Sequence, residues 1–254
     1  MTSALQRQGR ALLVALQFLT ILPVPRHIRD SENLTGASML WYPGVGLLLG
    51  LLLTSVGDML TLPFYLQTGL LLALWVALSG GLHLDGFADC VDAWAGGLGD
   101  RKRTLQLLSD PLCGSMAVIA LSILLLLKYL ALAALVQQGG LVWLWVVPLL
   151  SRAALLLLFI HTDYVRPQGL GARIVQQFSP YDARWVLAGV ALTTFALLPM
   201  SIWSILTATT VAVFMLVRRA ALQRLGGFTG DVAGALVELV ELSLLLALSF
   251  CVVG

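Results

Sequence analysis

Seven apolar runs, each close to 20 residues, decide what this chain can fold into. They fall at about 38–60, 64–84, 112–136, 141–161, 185–200, 201–217 and 235–253. A helix needs about 20 apolar residues to cross a bilayer. Inside lipid, every backbone N–H and C=O must be bonded within its own element. Only 11% of the chain is charged and its mean hydropathy is +0.94, against about 25% charged in a soluble domain. The expectation is an all-α polytopic transmembrane bundle in the lipid bilayer, with about seven spans (range 6–8) in one domain over residues 1–254. The fifth and sixth runs are short and joined through Pro199, which reads as a helical hairpin. The stretch Ala11–Leu22 has only 12 residues, too few to span. Arg7 and Arg10 precede it, Arg26 and Arg29 follow it, and no small-residue cleavage site succeeds it. It is predicted to be a re-entrant or interfacial segment.

Basic residues sort the connections. Arg101, Lys102 and Arg103 lie in 85–110; Arg166, Arg173 and Arg184 in 162–184; Arg218, Arg219 and Arg224 in 218–234. The connections near 61–63, 137–140 and 199–201 hold no Lys or Arg. The positive-inside rule then puts the amino terminus and the three polar loops in the cytoplasm and the carboxyl terminus outside. Polar chemistry gathers on one face and no internal repeat is visible, which argues against a secondary transporter. Cys90, Cys113 and Cys251 have no pair-like spacing, so no disulfide framework is expected.

Against this apolar background, His83, Asp85, Asp89 and Asp92 stand together in a chain with only 13 acidic residues. A charge at membrane depth costs about 2.5–3.5 kcal/mol on insertion scales. On a helix, Asp85, Asp89 and Asp92 at i, i+4 and i+7 share one face. Their repulsion calls for a cation, and hard oxygen donors suit Mg²⁺. A solvated helix end is the plainer reading. His83 points about 160° away from Asp85 on a regular helix, unless Gly86 breaks the helix. It orients an Asp, acts as an acid or base, or caps the span.

Three further groups carry polar atoms. Asp110-Pro111 reads as a helix N-cap with Pro at N1, or as a helix start whose N–H groups face a phosphate. The loop Gly226-Gly227-Phe228-Thr229-Gly230-Asp231 lets backbone approach a ligand, and Asp231, Glu238 and Glu241 continue along one helical face. Acids inside a span are functional by default, yet Arg152 or Lys128 can pair with Glu238 and Glu241. Arg166 can grip a phosphate or merely orient its loop. Gly46-Leu47-Leu48-Leu49-Gly50 has the small-xxx-small spacing of helix packing.

These residues together resemble the cobalamin synthase family, the adenosylcobinamide-GDP ribazoletransferases. The likeness runs nearly end to end. It takes in Phe18–Pro25, Pro43–Gly50, Gly81–Asp89 with Asp92, the Arg166–Gly171 loop, and Gly226–Asp231 with Glu238. The resemblance implies transfer of α-ribazole, or its 5′-phosphate, onto adenosylcobinamide-GDP with release of GMP. It also implies Mg²⁺ and an inner-membrane location. On that reading Asp85, Asp89 and Asp92 hold the metal, and Asp231 or Asp92 takes the attacking proton, with His83 beside them. Arg166, Gly227, Thr229, Gly230, Asp110 and Glu238 serve substrate or phosphate. One departure stands out: Ser109 and Leu112 occupy positions around Asp110 where the family usually has basic residues. No nucleic-acid partner is expected, and a homo-oligomer is left open.

A CDP-alcohol phosphotransferase is the nearest competing enzyme, since it too uses aspartates and a divalent metal at a membrane edge. Its motif has Ala-Arg after the Asp-Gly pair, whereas Phe87-Ala88-Asp89 follows Asp85-Gly86 here. Two non-enzymatic roles compete as well: a secondary transporter with Glu238, Glu241 and Arg152 lining a path, and a non-catalytic scaffold.

Overall fold

A computed structural model describes residues 4–25, 34–168 and 170–253. Arg26 and Arg29, which follow the short amino-terminal apolar stretch, lie outside the described residues. Every regular element described is a helix. The seven apolar runs become α3 (Tyr42–Met59), α4 (Phe64–Ser79), α7 (Ser115–Gln137), α8 (Val146–His161), α10 (Pro180–Leu197), α11 (Met200–Leu225) and α12 (Gly230–Val253). The remaining helices are α1 (Ala4–Leu19), α2 (Thr35–Met39), α5 (Leu82–Gly97), α6 (Arg101–Leu107) and α9 (Leu170–Gln177).

Five helical stretches among the described residues are long and apolar enough to cross a membrane alone: Tyr42–Met59, Ser115–Gln137, Gly140–His161, Met200–Leu225 and Gly230–Cys251. The number rises to six if α4 and α5 count as one bent span. The expected count of about seven (range 6–8) is not confirmed, for two reasons. The run 64–84 does not continue straight: α4 and α5 meet at 87°. Gly80 and Gly81 make that corner at φ +64° and +69°, a backbone region glycine enters without steric penalty. The run 185–200 folds into α10, which starts earlier, at Pro180, and carries Asp182 and Arg184 near its amino end. Those charges dilute its apolarity.

The bundle is arranged around α12, which packs on α5, α7, α8 and α11. Ile119, Ile123, Leu126 and Leu130 of α7 stay exposed at helical spacing, as suits a face that meets lipid. α3 lies against α8 through Gly46 and Gly50. A Cβ on Gly50 would stand 2.5 Å from the Trp145 carbonyl oxygen, and one on Gly46 would collide with the Pro148 carbonyl. The small-xxx-small pattern is therefore the α3–α8 contact. α1 is amphipathic: Ala11, Ala15 and Leu19 are fully buried while Gln6 to Arg10 are exposed. It packs on α2 and α3, and Trp41 Nε1 donates to Gln8 Oε1 at 3.0 Å.

One polar cluster sits within the apolar interior. Lys128 Nζ of α7 donates to Glu238 Oε2 at 2.5 Å and to Glu241 Oε2 at 2.7 Å. Arg152 of α8 pairs with Glu241 Oε1, and Ser151 Oγ donates to the same oxygen at 3.3 Å. Lys128 also stands 5.2 Å from the centre of the Trp75 ring. Two cations and two anions cancel, which makes charges at this depth tolerable. The group ties α7, α8 and α12 together.

Candidate active site

Two glycines bring the site together. α5 runs unbroken through Gly86, so Gly86 does not interrupt the helix. It lets α5 cross α12 at backbone contact instead. A Cβ there would stand 2.9 Å from the Asp231 carbonyl oxygen, and one on Gly234 would stand 3.2 Å from the His83 carbonyl oxygen. Glycine inside a helix is unfavourable by about 1 kcal/mol relative to Ala. That cost marks each glycine as unusual in the sequence, but nothing there pairs the two.

The crossing sets Asp85 and Asp89 of α5 beside Asp231, the second residue of α12. Asp85, Asp231 and Asp92 all crowd Asp89 with like charge, and Arg166 is the cation that opposes them. Arg166 Nη2 lies 3.0 Å from Asp231 Oδ2 and donates to the Leu108 carbonyl at 2.7 Å. Its loop is held by a backbone bridge to the glycine loop. Val165 N donates to the Phe228 carbonyl and Phe228 N to the Asp163 carbonyl, each at 2.9 Å. Gly227 permits this approach, because a Cβ there would meet Val165 Cγ1 at 2.5 Å and overlap the Asp163 carbonyl. Gly227 thus packs backbone on backbone.

Thr229 is buried and caps α12, accepting from Val232 N at 3.5 Å; serine and threonine suit this position. Its hydroxyl also donates to Asp231 Oδ2 at 3.1 Å. Gly230 is exposed, with open space around its Cα.

The remaining candidates are committed to other surroundings or buried. Asp92 accepts from Gly114 N at 2.6 Å with Oδ2 and from Ala117 N at 2.9 Å with Oδ1. It therefore caps α7 from a different helix. Asp110 does not cap that helix as the Asp-Pro order suggests: α7 begins at Ser115 with Gly114 as its N-cap. Asp110 instead accepts from Leu112 N at 3.0 Å in a local turn. Glu238 belongs to the buried charge cluster. His83 is buried, and its Nε2 has no hydrogen-bond partner among the described residues.

Asp85, Asp231, Arg166, His83 and Gly230 line one cavity of about 290 Å³. Tyr164 lines it too, and burial pushes its hydroxyl above the usual range while Arg166 pulls it back. Tyr164 therefore stays protonated and keeps a proton to donate. Among the described residues no group of three or more His, Cys, Asp or Glu side chains can hold a metal ion unaided. The arrangement instead gives a partly exposed acidic pair, a third acid and a guanidinium, all converging where a phosphate can reach them.

The cobalamin-5-phosphate synthase family profile matches residues 11–249. An adenosylcobinamide-GDP ribazoletransferase of Pseudomonas entomophila (strain L48) is 48% identical over 241 residues, covering 94% of this chain and 98% of that protein. One from Ectopseudomonas mendocina (strain ymp) is 50% identical over 239 residues, covering 93% and 97%. One from Pseudomonas aeruginosa (strain UCBPP-PA14) is 48% identical over 241 residues, covering 94% and 98%. No solved structure matches the chain.

Proposed function

The chain belongs to the cobalamin-5-phosphate synthase family, and from that premise we propose that it joins adenosylcobinamide-GDP to α-ribazole or its 5′-phosphate. The products are adenosylcobalamin, or its 5′-phosphate, and GMP. A ribazole hydroxyl attacks the phosphorus that bears the cobinamide. The bond from that phosphorus to the bridging oxygen breaks, and the oxygen leaves as part of GMP. The hydroxyl proton passes to a carboxylate.

The observation that carries this reading is the meeting of Asp85, Asp231 and Arg166 in the lining of one cavity, with Asp89 close enough to feel all three. Phosphoryl transfer needs positioning and charge stabilisation more than covalent chemistry from the protein. Arg166 is anchored by the Leu108 carbonyl, so its guanidinium meets a phosphate with little loss of freedom. Asp231 faces the cavity and is the carboxylate best placed to take the proton. Asp92 has both oxygens committed to backbone N–H groups, and we assign it to the scaffold.

Mg²⁺ fits the donor set that remains. This ion takes one or two carboxylates and completes its shell with water and substrate phosphates. Asp85 and Asp89 would supply the carboxylates. When bound, the ion would neutralise charge on the diphosphate. The basic loops support placing this end of the bundle in the cytoplasm, with the chain in the inner membrane.

Purified protein given adenosylcobinamide-GDP, α-ribazole and Mg²⁺ should release GMP. Release no greater than in a chelator-treated control would overturn the metal assignment, and no release under any divalent ion would overturn the reaction.

A further inference from the structure

Asp85, Asp231 and Arg166 have roles in the proposed transfer, but the hydroxyl of Tyr164 in the same lining has none. Tyr164 is half-buried. Its backbone is fixed on both sides, because Asp163 and Val165 exchange hydrogen bonds with Phe228. Its ring meets the Phe228 ring edge to face, 5.3 Å apart and at 76°. Gly171 also abuts it: a Cβ there would overlap the Tyr164 ring and stand 2.5 Å from the hydroxyl oxygen. The hydroxyl accepts from the Gly230 N–H, and the charges of Arg166 and Asp231 both reach it. Gly230 directly precedes Asp231, and Arg166 Nη2 is 3.0 Å from Asp231 Oδ2. One oxygen therefore takes a bond from the first N–H of α12 and keeps its own proton, which no described residue accepts.

We propose that Tyr164 is a further catalytic residue, its Oη donating a hydrogen bond to a non-bridging oxygen of the phosphate under attack. The inference rests on the reaction proposed above. There the attacking hydroxyl gives its proton to Asp231, so the phosphorus it reaches lies beside that carboxylate. Arg166 and Tyr164 are donors at that place, and they meet this phosphate rather than the one that leaves in GMP. As the ribazole oxygen bonds to phosphorus and the bridging oxygen departs, negative charge rests on the non-bridging oxygens. A donor fixed there before the reaction stabilises that charge without reorganising. The bond accepted from Gly230 polarises the phenol and strengthens the one it donates. Tyr164 keeps its proton throughout, and the proton lost by the ribazole hydroxyl goes to Asp231.

Tyr164→Phe keeps the ring and its contacts with Phe228 and Gly171, and removes only the hydroxyl. GMP release is measured while α-ribazole and adenosylcobinamide-GDP are varied separately. The variant should lower kcat about 100-fold, with both KM values within about twofold. Because the hydroxyl also holds Gly230, a second variant separates donor from acceptor. Replacing Tyr164 by 3,5-difluorotyrosine keeps the hydroxyl but lets it ionise near neutral pH, which its ultraviolet absorbance reports. The phenolate still accepts from the Gly230 N–H and can no longer donate. Relative to wild type at the same pH, kcat should hold in acid and fall about tenfold per pH unit once the phenol ionises. A ratio that stays constant with pH means that the oxygen only anchors Gly230, and it overturns the proposal. An unchanged kcat in Tyr164→Phe overturns it too, while leaving the reaction standing. So does a rise in KM alone, which is the mark of equal grip on substrate and transition state. Failure of wild type to release GMP would remove the reaction and this inference together.

Discussion

Single side chains in this protein divide between those committed to backbone or to one another and those left facing the cavity. Asp85, Asp89 and Asp92 look equivalent in sequence, and helical spacing does put them on one face. What spacing cannot register is the other helix that reaches them. Asp92 meets the start of α7 and gives both oxygens to Gly114 N and Ala117 N. Asp92→Ala should therefore lower stability by about 1 kcal/mol, as loss of a cap does, read as thermal unfolding in detergent. Its folded fraction should still release GMP. Asp85→Asn and Asp89→Asn should show the opposite pattern, with normal unfolding and GMP release reduced about 100-fold or more. The buried acids differ from each other as well. Glu241 is shared by Lys128 and Arg152, whereas Glu238 meets Lys128 alone. Glu241→Gln should cost about 3–5 kcal/mol, the usual result of stranding a buried charge. Glu238→Gln should cost clearly less, because Lys128 keeps Glu241. Unfolding of the two variants in mixed micelles compares them directly.

Elements bring these residues together through glycine, and here the sequence was only partly legible. The apolar runs marked α3, α7, α8, α11 and α12 because hydropathy and length are local properties. The Gly46–Gly50 spacing marked a helix contact for the same reason. The corner at Gly80-Gly81 was not legible, since the apolar run continues across it and the 87° turn depends on φ alone. The α5–α12 crossing was also hidden: Gly86 and Gly234 are 148 positions apart, and only tertiary structure puts their Cα atoms face to face. Gly86→Ala examines that crossing. Its Cβ would stand 2.9 Å from the Asp231 carbonyl oxygen and 3.1 Å from Asp231 Cα, and those backbone atoms cannot swing aside. The helices must part by a fraction of an ångström, moving Asp85 and Asp89 relative to Asp231. GMP release should fall at least about tenfold, since catalytic groups lose rate steeply with misplacement. Helix content by circular dichroism should not change, because Ala favours a helix more than Gly does. Full activity in this variant would mean that α5 and α12 need not touch for the chemistry.

At the scale of the whole molecule, the proposed chemistry and the buried set of paired charges occupy different places in the bundle. This division follows from the solvent. In lipid, Lys128, Arg152, Glu238 and Glu241 persist by neutralising each other. Asp85, Asp89 and Asp231 have Arg166 as the cation drawn among them and must lie where ions and nucleotides arrive. On the proposed reaction a charged nucleotide substrate arrives through water, so that end should face the cytoplasm, the orientation that Arg101, Lys102, Arg103, Arg218, Arg219 and Arg224 predict by the positive-inside rule. Cys113 offers a direct check. It is exposed and lies one residue before Gly114, whose N–H Asp92 accepts. It therefore marks the membrane face on which α7 begins. A Cys90→Ala, Cys251→Ala variant leaves Cys113 as the one thiol in the chain. In sealed cells a membrane-impermeant maleimide should leave it unlabelled, and the same reagent should label it in inverted vesicles. Labelling from outside intact cells would turn the bundle over. Asp85, Asp89 and Arg166 would then face the wrong compartment for a nucleotide substrate, however well their geometry suited one.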